Sequence, residues 1–252
     1  MDLPVLSKLA DSMDVDEAMI IIKGYLSDKV SPSEVSDDYL DRLRDAGWRG
    51  AVYHLWWDAS DSSIVPSTMG AGSADSRPLM MGPIPMGSPL GARYHWSRLK
   101  KRAKRTGRDH VLKLIKDQVT ESKVSLLGHS MGARVVYYLM RTVAYKIIEN
   151  PDFKFENVYL LGGAVRRDSA KEWAVVVWSV RGQIVNVHNK DDKVLSVFYR
   201  AAELRQNACG RKRIKEVHPQ IVNVDARFII NNESHGAYRR YLSKTIAGWF
   251  HR

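Results

Sequence analysis

The chain has 252 residues, 44% of them hydrophobic, and a formal charge of +11 at pH 7. Its length hides roughly 70–75% of the unfolded chain's surface, so a core forms without covalent staples. The lone cysteine, Cys209, excludes an intramolecular disulfide and favours a reducing compartment.

The first twenty residues carry acids throughout, with no apolar run behind a basic start. Their longest apolar stretch, Ala18 to Ile22, is far below the roughly 20 residues of a membrane span. The expectation is a cytoplasmic protein, with peripheral membrane contact as a variant, folded as one domain over residues 1–252.

Residues 1–15 read as an irregular or short helical lead-in. Glu17 to Lys23, EAMIIIK, is short, β-branched and closed by Gly24, the pattern of a strand buried on both faces. Ser33 to Ala46 reads as a helix capped by Ser33 and stopped by Gly47. Gly50 to Trp57 is the next strand. From Ala59 to about Arg93 the chain turns rich in Gly, Pro, Ser and Met with no period, an insertion read as a disordered cover or a lid.

Helix is expected from Trp96 to about Val119, then a strand from Lys123 to Leu127 and a strong helix from Ala133 to Ile148. Further strands are expected at Asn157–Gly162, Gln183–His188 and Gln220–Val224. Helices are expected around Ala170–Val180, Val194–Gln206 and Gly236–Phe250. Strands alternating with helices imply an α/β fold, a mostly parallel sheet clothed on both faces.

Gly128-His129-Ser130-Met131-Gly132 lies between an apolar strand and a long helix. That is the setting of a nucleophile elbow, in which a tight turn projects a serine hydroxyl and small flanking residues let strand and helix approach. Serine needs a base to take its proton and an acid to orient that base, here in the order Ser, acid, His. Asp192 is the preferred acid, after the penultimate strand, with Asp191 and Asp168 as alternatives. These aspartates also suit a helix cap.

His235 is the preferred base, on a polar loop before the last helix, over His218 at the opposite edge and His54 within a strand. His129 is expected to pack beside the elbow. The oxyanion calls for two backbone N–H donors, assigned to Met131 and Tyr25, with Leu26 next. The reaction expected is hydrolysis of a small-molecule or lipid acyl ester, with no cofactor and no metal.

Two basic runs stand apart. Arg98 to Arg108 holds seven bases (Arg98, Lys100, Lys101, Arg102, Lys104, Arg105, Arg108) and no acid, and Arg211 to Lys215 holds four. They read as solvated surface or as contact with an anionic surface. No nucleic-acid motif accompanies them. The alternatives to an esterase are therefore a non-catalytic interaction protein of the same fold, or a protein associated with anionic membrane or nucleic acid.

The run from Gly128 to Tyr138, GHSMGARVVYY, resembles the transmembrane and coiled-coil domain-containing hydrolase-like family. In order, Lys23-Gly24-Tyr25-Leu26, Asn157 to Val165, Asn186 to Arg200 and Ser234 to Tyr238 are similar to its other segments. The resemblance covers most of residues 16 to 250 outside the Met-rich stretch. It implies an α/β-hydrolase fold with a Ser-Asp-His triad and no cofactor, and it names no substrate. The chain departs from the family in showing no membrane or coiled-coil segment, and in carrying Lys193 where an aromatic is usual.

Overall fold

A computed structural model describes residues 3–24, 38–59, 89–146, 153–168, 170–200, 203–204, 206–230 and 235–250. The expected Ser33 cap and nearly all of the Met-rich insertion lie outside the described residues.

Among the described residues the fold is α/β, built on one sheet of seven strands. These are β1 (Val5–Ala10), β2 (Glu17–Ile22), β3 (Ala51–Trp56), β4 (Lys123–His129), β5 (Val158–Leu161), β6 (Ile184–His188) and β7 (Ile221–Asp225). Their order is β1-β3-β2-β4-β5-β6-β7. Only β1 runs antiparallel to its neighbour. The parallel strands read as apolar runs because helices cover both faces. Ile20, Ile22, Leu126, Leu160 and Ile184 point into one core, while Met19, Ile21, Leu127, Tyr159, Leu161 and Val185 point into the other.

The first core is roofed by α2 (Pro89–Arg105), α3 (Val111–Gln118), α4 (Gly132–Tyr145) and α5 (Ala170–Val176). The second is closed by α1 (Asp38–Asp45) and the C-terminal turns, where Trp48 and Tyr159 meet Phe250 edge-on at 5.4 and 5.5 Å.

Three local expectations are corrected. The lead-in contains strand β1, in which Leu6 is the buried residue and Lys8 is exposed. An edge strand with so little burial gives almost no periodic signal, and its lysine protects the open edge. Helix α2 starts at Pro89, earlier than Trp96, as a proline at a first helical position allows. The closing helix is instead a series of short turns, His235–Arg239, Leu242–Thr245 and Ala247–Trp249. Tyr241 (φ −106°, ψ 21°) and Ile246 (φ −128°, ψ −11°) leave helical geometry and break it.

Candidate active site

From β2 the chain goes to β3 on one side of the sheet, and from β4 it goes to β5 on the other. The carboxyl ends of β2 and β4 therefore flank a topological switch point, where open α/β sheets hold their ligands. Ser130 follows β4 at this point, and Gly24 follows β2.

Ser130 has φ +56°, a left-handed backbone that non-glycine residues seldom adopt. The turn is held open by one bond to the last residue of β5 and one to the loop after it. The Ser130 N–H donates to the Leu161 carbonyl at 2.9 Å, and the Ala164 N–H donates to the Ser130 carbonyl at 2.9 Å. Glycine is required on both sides. A methyl group at Gly128 would lie 2.7 Å from Ala133 Cα, and one at Gly132 would lie 1.9 Å from the Ile22 carbonyl oxygen. Gly24 leaves the serine room in the same way, since a Cβ there would stand 3.1 Å from Ser130 Oγ.

Asp192 follows β6 and is buried. Its Oδ1 accepts the Leu195 N–H at 2.9 Å, capping the next helical segment, while its Oδ2 lies 2.5 Å from His235 Nδ1. One carboxylate thus caps a helix and orients an imidazole. Burial alone would raise its pKa, but His235 and the Leu195 N–H hold it below the usual carboxylate value. The opposite ring nitrogen, His235 Nε2, is buried and has no hydrogen-bond partner among the described residues, Ser130 Oγ included. A methyl at Gly162, one residue past the carbonyl that anchors Ser130, would lie 3.2 Å from His235 Cε1. Serine turn and imidazole therefore meet the same loop.

His129 packs beside the elbow. Its ring stacks on that of His235 with centroids 5.2 Å apart, and its Nε2 donates to the His235 carbonyl at 3.1 Å. Burial, with the neighbouring His235, drops its pKa to about 3, so it stays neutral near neutral pH and is a far weaker base than an ordinary imidazole.

The other candidates separate cleanly. Asp191 is exposed, and its N–H binds the Asn189 side chain at 2.9 Å. Asp168 is paired with Arg166 at 2.7 Å. His218 accepts the Gln220 N–H at 3.2 Å at the start of β7, the opposite end of the sheet. His54 is buried within β3. Met131 is buried at the head of α4. Tyr25 and Leu26 lie outside the described residues.

Two features escaped sequence reasoning. Tyr238, three residues after His235 on the same tight turn, aims its buried hydroxyl at Gly210 O (3.2 Å) and Asp192 Oδ2 (3.5 Å). That spacing was the available signal. The second is a strap at residues 207–210 that threads between the loops after β5 and β6. Cys209 N–H donates to Val165 O at 2.7 Å, Gly210 N–H to Gly163 O at 3.0 Å, and Asn189 N–H to Gly210 O at 2.9 Å. Gly210 packs so closely that a Cβ would lie 2.1 Å from the Gly162 carbonyl carbon. Cys209 in this strap is buried, which pushes its thiol up to about 12 and leaves it unreactive. Among the described residues no cluster of three or more His, Cys, Asp and Glu is arranged to hold a metal ion.

The family described as "Protein of unknown function (DUF726)" matches residues 59–248. The fission yeast "Uncharacterized membrane protein C6F6.13c" is 26% identical over 250 residues, 91% of this chain and 30% of its own length. The rice "Transmembrane and coiled-coil domain-containing protein STS1" is 30% identical over 139 residues, 55% of this chain and 20% of its own. The chain thus spans less than a third of either relative. Among solved structures, a lipase-esterase related protein from Clostridium acetobutylicum aligns with TM-score 0.46 and 9% identity, covering 99% of this chain and 100% of that one. A type II thioesterase from the yersiniabactin pathway aligns with TM-score 0.46 and 11% identity, covering 95% and 94%.

These relatives correct the cytoplasmic expectation, because they are named as membrane and transmembrane proteins. Among the described residues no helix is long and apolar enough to cross a membrane. With so small a share of each relative matched, that fact assigns no compartment.

Proposed function

The chain belongs to the family described as "Protein of unknown function (DUF726)", and we propose that it is a serine hydrolase acting on an ester-type acyl bond. Ser130 Oγ attacks the acyl carbon as His235 Nε2 takes its proton. Asp192 holds the imidazole in the tautomer that leaves Nε2 free to accept, and then stabilises the imidazolium. The Met131 N–H, at the head of α4, donates to the oxyanion of the tetrahedral intermediate. His235 returns the proton to the leaving alcohol, and water repeats the cycle on the acyl-enzyme.

One observation carries this reading. The Asp192–His235 pair at 2.5 Å leaves the far ring nitrogen buried and unpartnered beside the loop that anchors a serine of positive φ. A buried imidazole nitrogen without a partner is costly unless a function uses it. The missing bond to Ser130 agrees with sites whose catalytic hydrogen bonds tighten only around substrate. The likeness of the segment around Ser130 to the transmembrane and coiled-coil domain-containing hydrolase-like family points the same way.

The test is covalent labelling by a fluorophosphonate probe together with turnover of short p-nitrophenyl esters. Wild type should do both and Ser130→Ala neither. Equal labelling of the two proteins would discard the mechanism.

A further inference from the structure

Helices α2 and α4 each return from the carboxyl edge of the sheet, so they run side by side in one direction. Lys100 and Arg134 share Glu203 at 3.0 Å each, Lys104 sits over the Tyr138 ring at 5.6 Å, and Thr142 Oγ1 reaches the Arg108 carbonyl at 3.4 Å. At Gly107 the backbones touch, since a Cβ there would stand 2.2 Å from the Val135 carbonyl oxygen. The two helices therefore form one continuous surface.

That surface is basic. Lys101, Lys104, Arg105 and Arg108 are exposed at spacings that share one helical face. Arg141 and the exposed Lys146 extend it along α4. Arg108 pairs with Asp109 at 2.6 Å and Arg141 with Glu172 at 3.1 Å. Among the described residues no ion pair engages Lys101 or Arg105.

We propose that this face docks on an anionic phospholipid bilayer. Clusters of four to eight bases on a helical surface complement the negative potential of such a membrane. The aromatic residues favour lipid over nucleic acid. Tyr145 is 62% exposed among the bases, an amphipathic ring suited to the headgroup layer. Tyr138 is approached by Lys104 at 5.6 Å and Arg141 at 5.8 Å, and Arg141 also lies 5.7 Å from the Tyr145 ring, so side-chain cations already compete with a base for both rings. This inference is independent of the chemistry at Ser130.

The test is flotation of the full chain with phosphatidylcholine vesicles, with and without phosphatidylserine, across a salt series. Binding should require phosphatidylserine and fall as salt rises. The double variant Lys101→Glu/Arg105→Glu should lose roughly thirtyfold or more in partitioning, since each base removed weakens binding severalfold. Its circular dichroism and melting should match wild type. Reversal at the other basic run, Lys212→Glu/Arg213→Glu, should leave partitioning unchanged. Equal binding to neutral vesicles, retention by the first variant, or equal loss in the second would overturn the proposal. So would tighter binding to duplex DNA or RNA than to the anionic vesicles at the same salt.

Discussion

His129 and His235 stand 106 positions apart in sequence, yet their rings stack at 5.2 Å and 28° while the first bonds the second's main-chain carbonyl at 3.1 Å. The elbow and the C-terminal loop are thus fastened to each other by the residue next to the serine. Burying a neutral imidazole in that joint has a measurable consequence.

In the unfolded chain a histidine titrates near pH 6.5, whereas folded His129 is held at about 3. Between those values the unfolded chain binds a proton that the folded one refuses. The stabilisation is full above about pH 6.5 and is lost as pH falls toward about 3, at ~1.4 kcal/mol per pH unit. Urea melts should show His129→Gln less stable than wild type near neutrality. That gap should narrow by about this amount per unit on acidification. A gap independent of pH would contradict the buried neutral state.

Ser130 is held at φ +56°. A left-handed residue with a side chain costs about 1–2 kcal/mol that glycine does not pay. Ser130→Gly is therefore expected to raise stability by about 1 kcal/mol in denaturant melts while abolishing probe labelling. Loss of stability in this variant would mean that the turn is unstrained.

Asp192 uses its two oxygens differently, so two substitutions separate its roles. Asp192→Asn keeps an oxygen for the Leu195 N–H but loses the charge facing His235. Ester turnover should fall roughly 10⁴-fold, the scale known for amidating the triad aspartate of a serine protease. Asp192→Ala loses the cap as well and should be about 1 kcal/mol less stable than the asparagine variant. Equal turnover in wild type and Asp192→Asn would remove Asp192 from the mechanism.

The strap offers a packing test. At Gly210 a methyl group would meet the Gly162 carbonyl carbon at 2.1 Å, whereas at Gly248 it would meet nothing within 4 Å. Gly210→Ala is expected to destabilise by about 3 kcal/mol or more, because backbone cannot yield as a side chain can. Gly248→Ala should be neutral to slightly stabilising. Chemical denaturation of both decides it.

Sequence alone determined the alternation of strands and helices, because strands buried on both faces must be apolar and short, as in EAMIII and KVSLL. It also determined the turn at Ser130, since the glycines on either side are demanded by contacts only a few residues away or with the adjoining strand. It pointed to Asp192 and His235 through chain order, but left Asp191, Asp168 and His218 beside them. Tertiary structure alone brings Asp192 and His235 together, with two side chains 43 positions apart in sequence meeting at 2.5 Å. It alone disclosed β1, the strap at residues 207–210, the Tyr238 hydroxyl under Asp192 and the stacked histidines. Periodicity records which face of an element is buried. It carries no information about which distant atoms share that burial, and those pairings define the site.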